Sequence, residues 1–249
     1  MRRVSSIVAA AGLLTAQPAL AQTPRAANPE RPTVATHAYA VAPGYVELEQ
    51  GLSARGRSSL GEQTSWDLNL KIGLTPHLQL GLFGPTYLRT DGGTGVGDLG
   101  AALKIRDDLS RTVAVALVPA LSMPTGSESN GLGAGRVLGS LVAVVSAELG
   151  GGLHFDANAG PTGIGAGTPQ WFGSVGLSRG FGPLSVATEL FAFADGGAGP
   201  GQRGALGSVL VTLAEWAVLD VGGVVGLSDA SLDQVFVGLT TNFGAIMRR

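Results

Sequence analysis

The sequence predicts an all-β protein: a transmembrane, antiparallel up-and-down β-barrel of about twelve strands. Three observations carry this. Apolar and polar residues alternate with period two in about twelve successive segments. The links between segments are alternately short and mostly long and Gly-rich. The chain is apolar, with 45% hydrophobic and only 14% charged residues. Yet no apolar run reaches the roughly 18 residues that would suggest a spanning helix.

The N-terminus reads as an export signal. Arg2 and Arg3 give a positive start, "VSSIVAAAGLLTA" an apolar stretch and Ala19-Leu20-Ala21 a small-x-small cleavage site. The mature chain is expected to begin near Gln22 and to work beyond the cytoplasmic membrane, in the outer membrane of a Gram-negative bacterium. Residues 22–43, rich in Pro, Ala and Thr, read as an irregular leader in the periplasm or the lumen. Cysteine is absent, which excludes disulfides, thiolate metal sites and Cys nucleophiles. Net charge is -2 and lysine occurs only at positions 71 and 104, so there is no basic stripe for nucleic acid.

The barrel is expected over residues 44–243, followed by a short periplasmic tail, 244–249. In the first segment Val46, Leu48 and Leu52 alternate with Glu47, Glu49 and Gly51. In the second, Trp66, Leu68, Leu70, Ile72 and Leu74 oppose Asp67, Asn69, Lys71 and Gly73. In the third, Leu78, Leu80 and Leu82 oppose His77, Gln79 and Gly81; in the fourth, Leu99, Ala101, Leu103 and Ile105 face away from Asp98, Gly100, Ala102, Lys104 and Arg106. The fifth sets Val113, Val115, Leu117, Pro119 and Leu121 against Ala114, Ala116, Ala120 and Ser122. The sixth, about Arg136 to Glu148, is apolar on both faces, and periodicity alone does not give its register. The seventh sets Leu153, Phe155 and Ala157 against His154, Asp156 and Asn158; the eighth sets Trp171, Val175 and Leu177 against Ser174, Gly176 and Ser178. The ninth sets Leu184, Val186 and Leu190 against Ser185, Ala187 and Glu189, and the tenth, about Leu206 to Leu213, alternates weakly. The eleventh sets Leu219, Val221 and Val225 against Asp220, Gly222 and Gly226. The last sets Val235, Val237, Leu239 and Phe243 against Gly238, Thr240 and Asn242.

Short links ("TP", "RDDLS", "LGG", "RGFGP", "AEWA") read as periplasmic turns, and long ones, beginning with "ARGRSSLGEQT", as outer loops. A closed barrel pairs every backbone group inside lipid, which an open sheet cannot do. The apolar faces therefore point to lipid, with Trp66, Trp171 and Phe243 near strand ends where interfacial aromatics sit. The inward set is polar or small, and inward Gly73, Gly81, Gly100, Ala102, Gly176 and Gly222 favour open volume.

Several stretches together resemble a known family. They are "ERPTVATHAYAVAPGYVELEQGLS", "TPHLQLGLFGPTYLR", "GVGDLGAALKIRDD", "VALVPALSMPTG" and "FGPLSVATELFAF". In that order they are similar to the putative MetA-pathway-of-phenol-degradation family of outer-membrane barrels, over about Glu30 to Phe243. The resemblance implies passage of small hydrophobic or aromatic solutes. Such barrels commonly end on an aromatic residue read by the barrel assembly machinery, whereas here Phe243 is followed by "GAIMRR". Either Phe243 still serves as the assembly signal, or the tail adds a periplasmic handle.

The candidate lumen-lining residues are Glu47, Glu49, Asp67, Asn69, Lys71, Gln79, Asp98, Lys104, Arg106, His154, Asp156, Asn158, Glu189 and Asp220. A mid-strand cation facing lipid would cost about 2–4 kcal/mol, so both lysines belong inside. These charges either orient a polar or amphipathic solute or form an internal ion-pair network that braces the barrel. Glu30, Arg31 and Pro32 of the leader are candidates for a plug held by the acid-rich lumen; a simple tether is the alternative. Enzyme signatures are poor: HExxH is absent, and the Gly-rich "GVGDLG" and "GLGAG" lack a following Lys and a strand–loop–helix setting. His154 and Asp156 share a face and could hold a metal or act with Ser174, but a solvated luminal pair is the simpler reading. No catalytic residue, metal or cofactor is assigned. The expected function is passive uptake through the outer membrane, with outer-membrane lipid as surroundings. The alternatives are a structural or plugged barrel, and, third, an outer-membrane hydrolase.

Overall fold

The alternating segments form thirteen strands in a computed structural model, which describes residues 23–57 and 61–246. They are β1 (Tyr45–Arg57), β2 (Gly61–Thr75), β3 (Leu78–Thr90), β4 (Gly93–Gly95), β5 (Leu99–Asp108), β6 (Val113–Met123) and β7 (Leu138–Gly150). The chain continues through β8 (Leu153–Thr162), β9 (Gln170–Phe181), β10 (Leu184–Phe193), β11 (Gln202–Ala214), β12 (Ala217–Gly226) and β13 (Asp233–Ala245). β4 and β5 lie end to end against β3, at Leu88–Thr90 and Leu78–Phe83 respectively. They make one stave, so the wall has twelve. Neighbours are antiparallel throughout, and β1 pairs with β13 from Tyr45↔Ala245 to Gly56↔Asp233. The sheet closes on itself, the arrangement that leaves no strand edge unpaired in lipid.

Burial is inverted relative to a water-soluble sandwich. Val225, Phe243 and Leu121 are 60%, 60% and 56% exposed, while Lys71, Glu47 and Glu189 are 1%, 0% and 1% exposed. The greasy face of each stave is the outside of an outer-membrane-type barrel, and ionic side chains fill the inside. The two segments of weak periodicity acquire a register here. In β7 Val144 and Ser146 are buried while Leu141 and Val145 are exposed; in β11 Leu206 and Ser208 are buried while Val209 and Leu213 are exposed.

Three expectations need correction. The first long outer loop is mostly strand: β1 and β2 pair from Val46↔Ile72 to Arg57↔Gly61, leaving only 58–60 between them. The inward face is not uniformly polar or small, because Phe172, Leu206, Val224 and Phe236 are buried there, with Phe191 packed against the last three. The inward glycines also hold less open volume than their size suggests. A methyl group at Gly100, Gly204 or Gly222 would collide with the ring of Phe83, Phe191 or Phe236. Each of these is a direct cross-strand pair (Phe83↔Gly100, Phe191↔Gly204, Gly222↔Phe236), so each ring lies flat over its glycine partner. The export segment expected over 1–21 and the end of the tail at 247–249 lie outside the described residues.

The outward face generates a prediction. Leu103, in the middle of β5, is 40% exposed on that face. Leu103→Arg should destabilise the barrel by about 2–4 kcal/mol, read from urea unfolding of the protein folded into vesicles.

Candidate functional site: the filled lumen

Residues 23–44 enter and leave the lumen at the end that carries the short turns, periplasmic in barrels of this class. Near the entrance the Arg25 guanidinium stands 5.8 Å from the Trp216 ring centre, and the Ala27 N–H donates to Glu215 O at 2.8 Å. The leader climbs β1: Asn28 N–H donates to Glu47 Oε2 (2.8 Å), and Glu30 N–H to Glu49 Oε1 (2.6 Å). It crosses to β10, where the N–H groups of Val34 and Ala35 share the Glu189 carboxylate at 2.8 and 3.0 Å. It descends past Asn158, Ser146 and Gln79, which accept from Thr36, Ala38 and Val41 N–H at 3.1, 2.8 and 2.8 Å. Gly44 N–H reaches Gly73 O at 2.7 Å as the chain turns into β1. Apart from an isolated bridge at Pro43 this segment pairs with no strand, and side chains of the wall accept from seven of its N–H groups instead.

Two ammonium groups hold the centre. Lys71 Nζ lies 2.6 Å from both Glu47 Oε1 and Glu49 Oε1, and donates to Asn28 O at 2.8 Å. Lys104 Nζ donates to Glu30 Oε1 (2.5 Å) on the rising leg. On the falling leg it reaches Thr36 Oγ1 (2.9 Å), His37 O (2.7 Å) and Tyr39 O (3.1 Å). Burial pushes the Glu30 carboxyl up, but Lys104 and Lys71 outweigh it and hold the group well below the usual carboxylate range. Burial, with Lys104 second, takes His37 down to about 3. A neutral ring fits its Nδ1, which accepts the Tyr39 N–H at 3.2 Å. Burial and the neighbouring Glu148 push the Tyr39 phenol up to about 12.

Arg31 is seated differently. Its guanidinium occupies the space that a methyl group at Gly51 or at Gly238 would take, and its Nε faces Asp220 Oδ2 at 3.5 Å. The backbone carbonyls of Val41 and Ala42 likewise fill the space beside Gly73. Gly73, expected to leave volume, is thus a seat for the leader. Facing the leader is a cavity of about 280 Å³, lined by Arg31, Asn69, Val118, Val142, Asn158 and Phe172 among others.

The structure gathers Glu47, Glu49, Lys71, Gln79, Lys104, Asn158, Glu189 and Asp220 around Glu30 and Arg31 of the leader. Pro32 follows Arg31 through a cis peptide bond. Asn69 lines the cavity. Asp98 stands apart, accepting from Gly126 and Ala134 N–H at 2.9 and 2.7 Å and so anchoring an outer loop. Asp67 accepts from Ser65 Oγ at 2.7 Å. Arg106 pairs with Asp108 near the short turns. His154 sits between Glu148 and Asp156 at 2.9 and 3.0 Å, with both ring nitrogens facing carboxylates. The hydroxyl brought to that group is Ser146, 2.5 Å from Asp156 Oδ1, rather than Ser174. With the His nitrogens so placed, neither is directed at a serine. Phe243 is exposed on the outer face. Sequence reasoning missed Ser146 because the register of its strand was not legible, and missed Asn28 and Thr36 because nothing periodic marks the leader.

Two predictions follow from the leader's contacts. Lys104→Met leaves the Glu30 carboxylate with only Gln79 Nε2, at 3.1 Å, as a side-chain donor and strips two carbonyls of the ammonium. It should weaken leader docking by about 3–5 kcal/mol. Amide hydrogen exchange would show lost protection at Val34, Ala35 and Ala38, with β9–β11 unchanged. The second concerns pH. His37 drops from its ordinary 6.5 to about 3 on docking, and Glu30 drops from its ordinary 4.5. The docked leader therefore binds fewer protons than the free one, and docking is strongest above pH 6.5. Protection of the same amides, corrected for intrinsic exchange, should fall as pH falls from 6.5 towards 3; a rise would contradict the assignment.

Solved structures share this fold. The COG4313 outer membrane channel from Pseudomonas putida F1 superposes with a TM-score of 0.60 at 14% identity, covering 85% of this chain and 100% of that one. The KdgM porin gives 0.59 at 7% identity (79% and 99% covered), and the NanC porin 0.56 at 8% (79% and 98%). No curated protein matches the sequence. The family model described as "Putative MetA-pathway of phenol degradation" matches residues 30–243, and the chain belongs to that family.

Proposed function

We propose that the protein is an outer-membrane channel for passive uptake of small hydrophobic or aromatic solutes, and that its own leader gates it. The single observation that carries the reading is the leader itself. It crosses the lumen held mainly by polar side chains of the wall, with Ala38 and Tyr39 in a small apolar cluster on Ala114, Ala116 and Val144 and an isolated bridge at Pro43 beside them. Such contacts can be exchanged for water, so the leader can leave without dismantling the wall. In this reading residues 1–21 are removed on export, residues 22–43 form the gate, and Phe243 is the signal for the assembly machinery. The fold shared with porins and a channel supports a transport role, and the Phe172, Val118 and Val142 surface of the lumen cavity supports a solute with an apolar face.

A second reading, a permanently corked structural barrel, draws on the number of bonds around Lys71 and Lys104. A chain whose mature part lacks residues 22–40 separates the two. Single-channel conductance in planar bilayers should rise severalfold over the full-length protein; unchanged conductance removes the gate. Liposomes carrying either chain should swell in small solutes, and no uptake of any solute by either would leave the structural reading.

A further inference from the structure

We propose that the lumen cavity is a binding site for a small aromatic carboxylate, with the Arg31 guanidinium on the carboxylate and Phe172, Val118 and Val142 on the ring. The proposal deepens the channel reading above and rests on it for its biological sense, but its chemistry is argued from the cavity alone.

The charges around the cavity are not equivalent. Glu30 and Glu49 also line it, but Lys104 and Lys71 already engage them at 2.5 and 2.6 Å. Arg31 faces one carboxylate, Asp220, through Nε at 3.5 Å. Among the described residues no hydrogen-bond acceptor meets its two terminal nitrogens, and the side chain remains 18% exposed. A guanidinium offers a planar fork of donors suited to two carboxylate oxygens. Arg31 is also among the residues that line the cavity. The glycines at 51 and 238 hold the group flat against the wall, so it is fixed in place without its outer donors being used.

The rest of the lining sets the size and character of the ligand. At about 280 Å³ the cavity falls at the small end of ligand pockets, the scale of a single ring. Phe172 is held by a stacked contact with Phe193, ring centres 4.8 Å apart, and presents a firm apolar surface. Asn69 and Ser140 supply polar atoms at the margins for a ring substituent. Neutral hydrocarbons would leave the terminal nitrogens of the guanidinium without an acceptor, and a simple inorganic anion would leave the apolar wall bare.

Calorimetric titration of the detergent-solubilised full-length protein tests this, with benzoate, benzyl alcohol, acetate and inorganic phosphate as probes. Benzoate should bind saturably at one site. Benzyl alcohol, acetate and phosphate should each bind about ten-fold more weakly or worse. Arg31→Gln should lower benzoate affinity about ten-fold while leaving benzyl alcohol unchanged. Arg31→Lys should fall between, because charge is kept and the fork is lost. Phe172→Ala should weaken benzoate and benzyl alcohol alike. Heat-modified electrophoretic mobility shows that each variant retains its barrel. Equal binding of benzoate by wild type and Arg31→Gln, or stronger binding of phosphate than benzoate, would overturn the proposal. Benzoate binding without liposome uptake would count against the channel reading alone; uptake without benzoate binding would count against this inference alone.

Discussion

The contacts of two lysine ammonium groups organise the inside of the barrel. Lys104 reaches both legs of the leader, taking a carboxylate from one and a hydroxyl and two carbonyls from the other. Lys71 fixes the start of the rising leg and binds the two glutamates that receive its N–H groups. Buried cations of this kind are tolerated only when every donor finds an acceptor, so the path of the leader and the identity of the wall residues constrain each other. An irregular segment could not otherwise cross the lumen with its amides satisfied.

This explains why the wall faces inward with acceptors. Glu47, Glu49 and Glu189 each receive at least one leader N–H, and Asn158, Ser146 and Gln79 add one acceptor each. The inward parity that lipid imposes on each stave therefore does two things: it keeps ionic groups out of hydrocarbon and presents them, two residues apart, to the rising leader. The spacing is visible on β1, where Glu47 and Glu49 meet Asn28 and Glu30. Chain segments with the same two-residue rhythm are matched in parallel without being a sheet.

The wall was legible in the sequence because period-two alternation is local. "SWDLNLKIGL" alone puts Trp66 and Lys71 on opposite faces; the export signal, the sorted loops and the companion strands turn Trp66 out to lipid, and closure follows from the need to pair backbone there. The leader's role was partly legible: Glu30 and Arg31 stand out beside an acid-rich lumen. Their partners were not. Val34 and Glu189 are 155 residues apart and meet only once nine staves are placed in register. The Phe–Gly pairs were hidden for the same reason. Phe191 and Gly204 each look anomalous in their own strand, one too large for the lumen and the other too small for a strand. Only the pairing of β10 with β11 shows that one fills the other's space.

The balance of charge bears on how the leader could come and go. In place, Arg31, Lys71 and Lys104 stand among Glu30, Glu47, Glu49 and Asp220. If the leader leaves, it carries away Glu30 and Arg31 together, one charge of each sign. Lys71 keeps Glu47 and Glu49, while water replaces the leader beside Lys104, Glu189 and Asp220. Hydration compensates for much of what the wall loses, so docking is a difference between two well-satisfied states rather than a gain set by every bond in the lumen. A leader held by apolar packing alone would expose a greasy pore when it left; here the cluster of Ala38 and Tyr39 with Ala114, Ala116 and Val144 is small beside the polar contacts. Under the proposed gate, the polar wall makes the docked leader dense and specific, yet leaves the vacated lumen solvated.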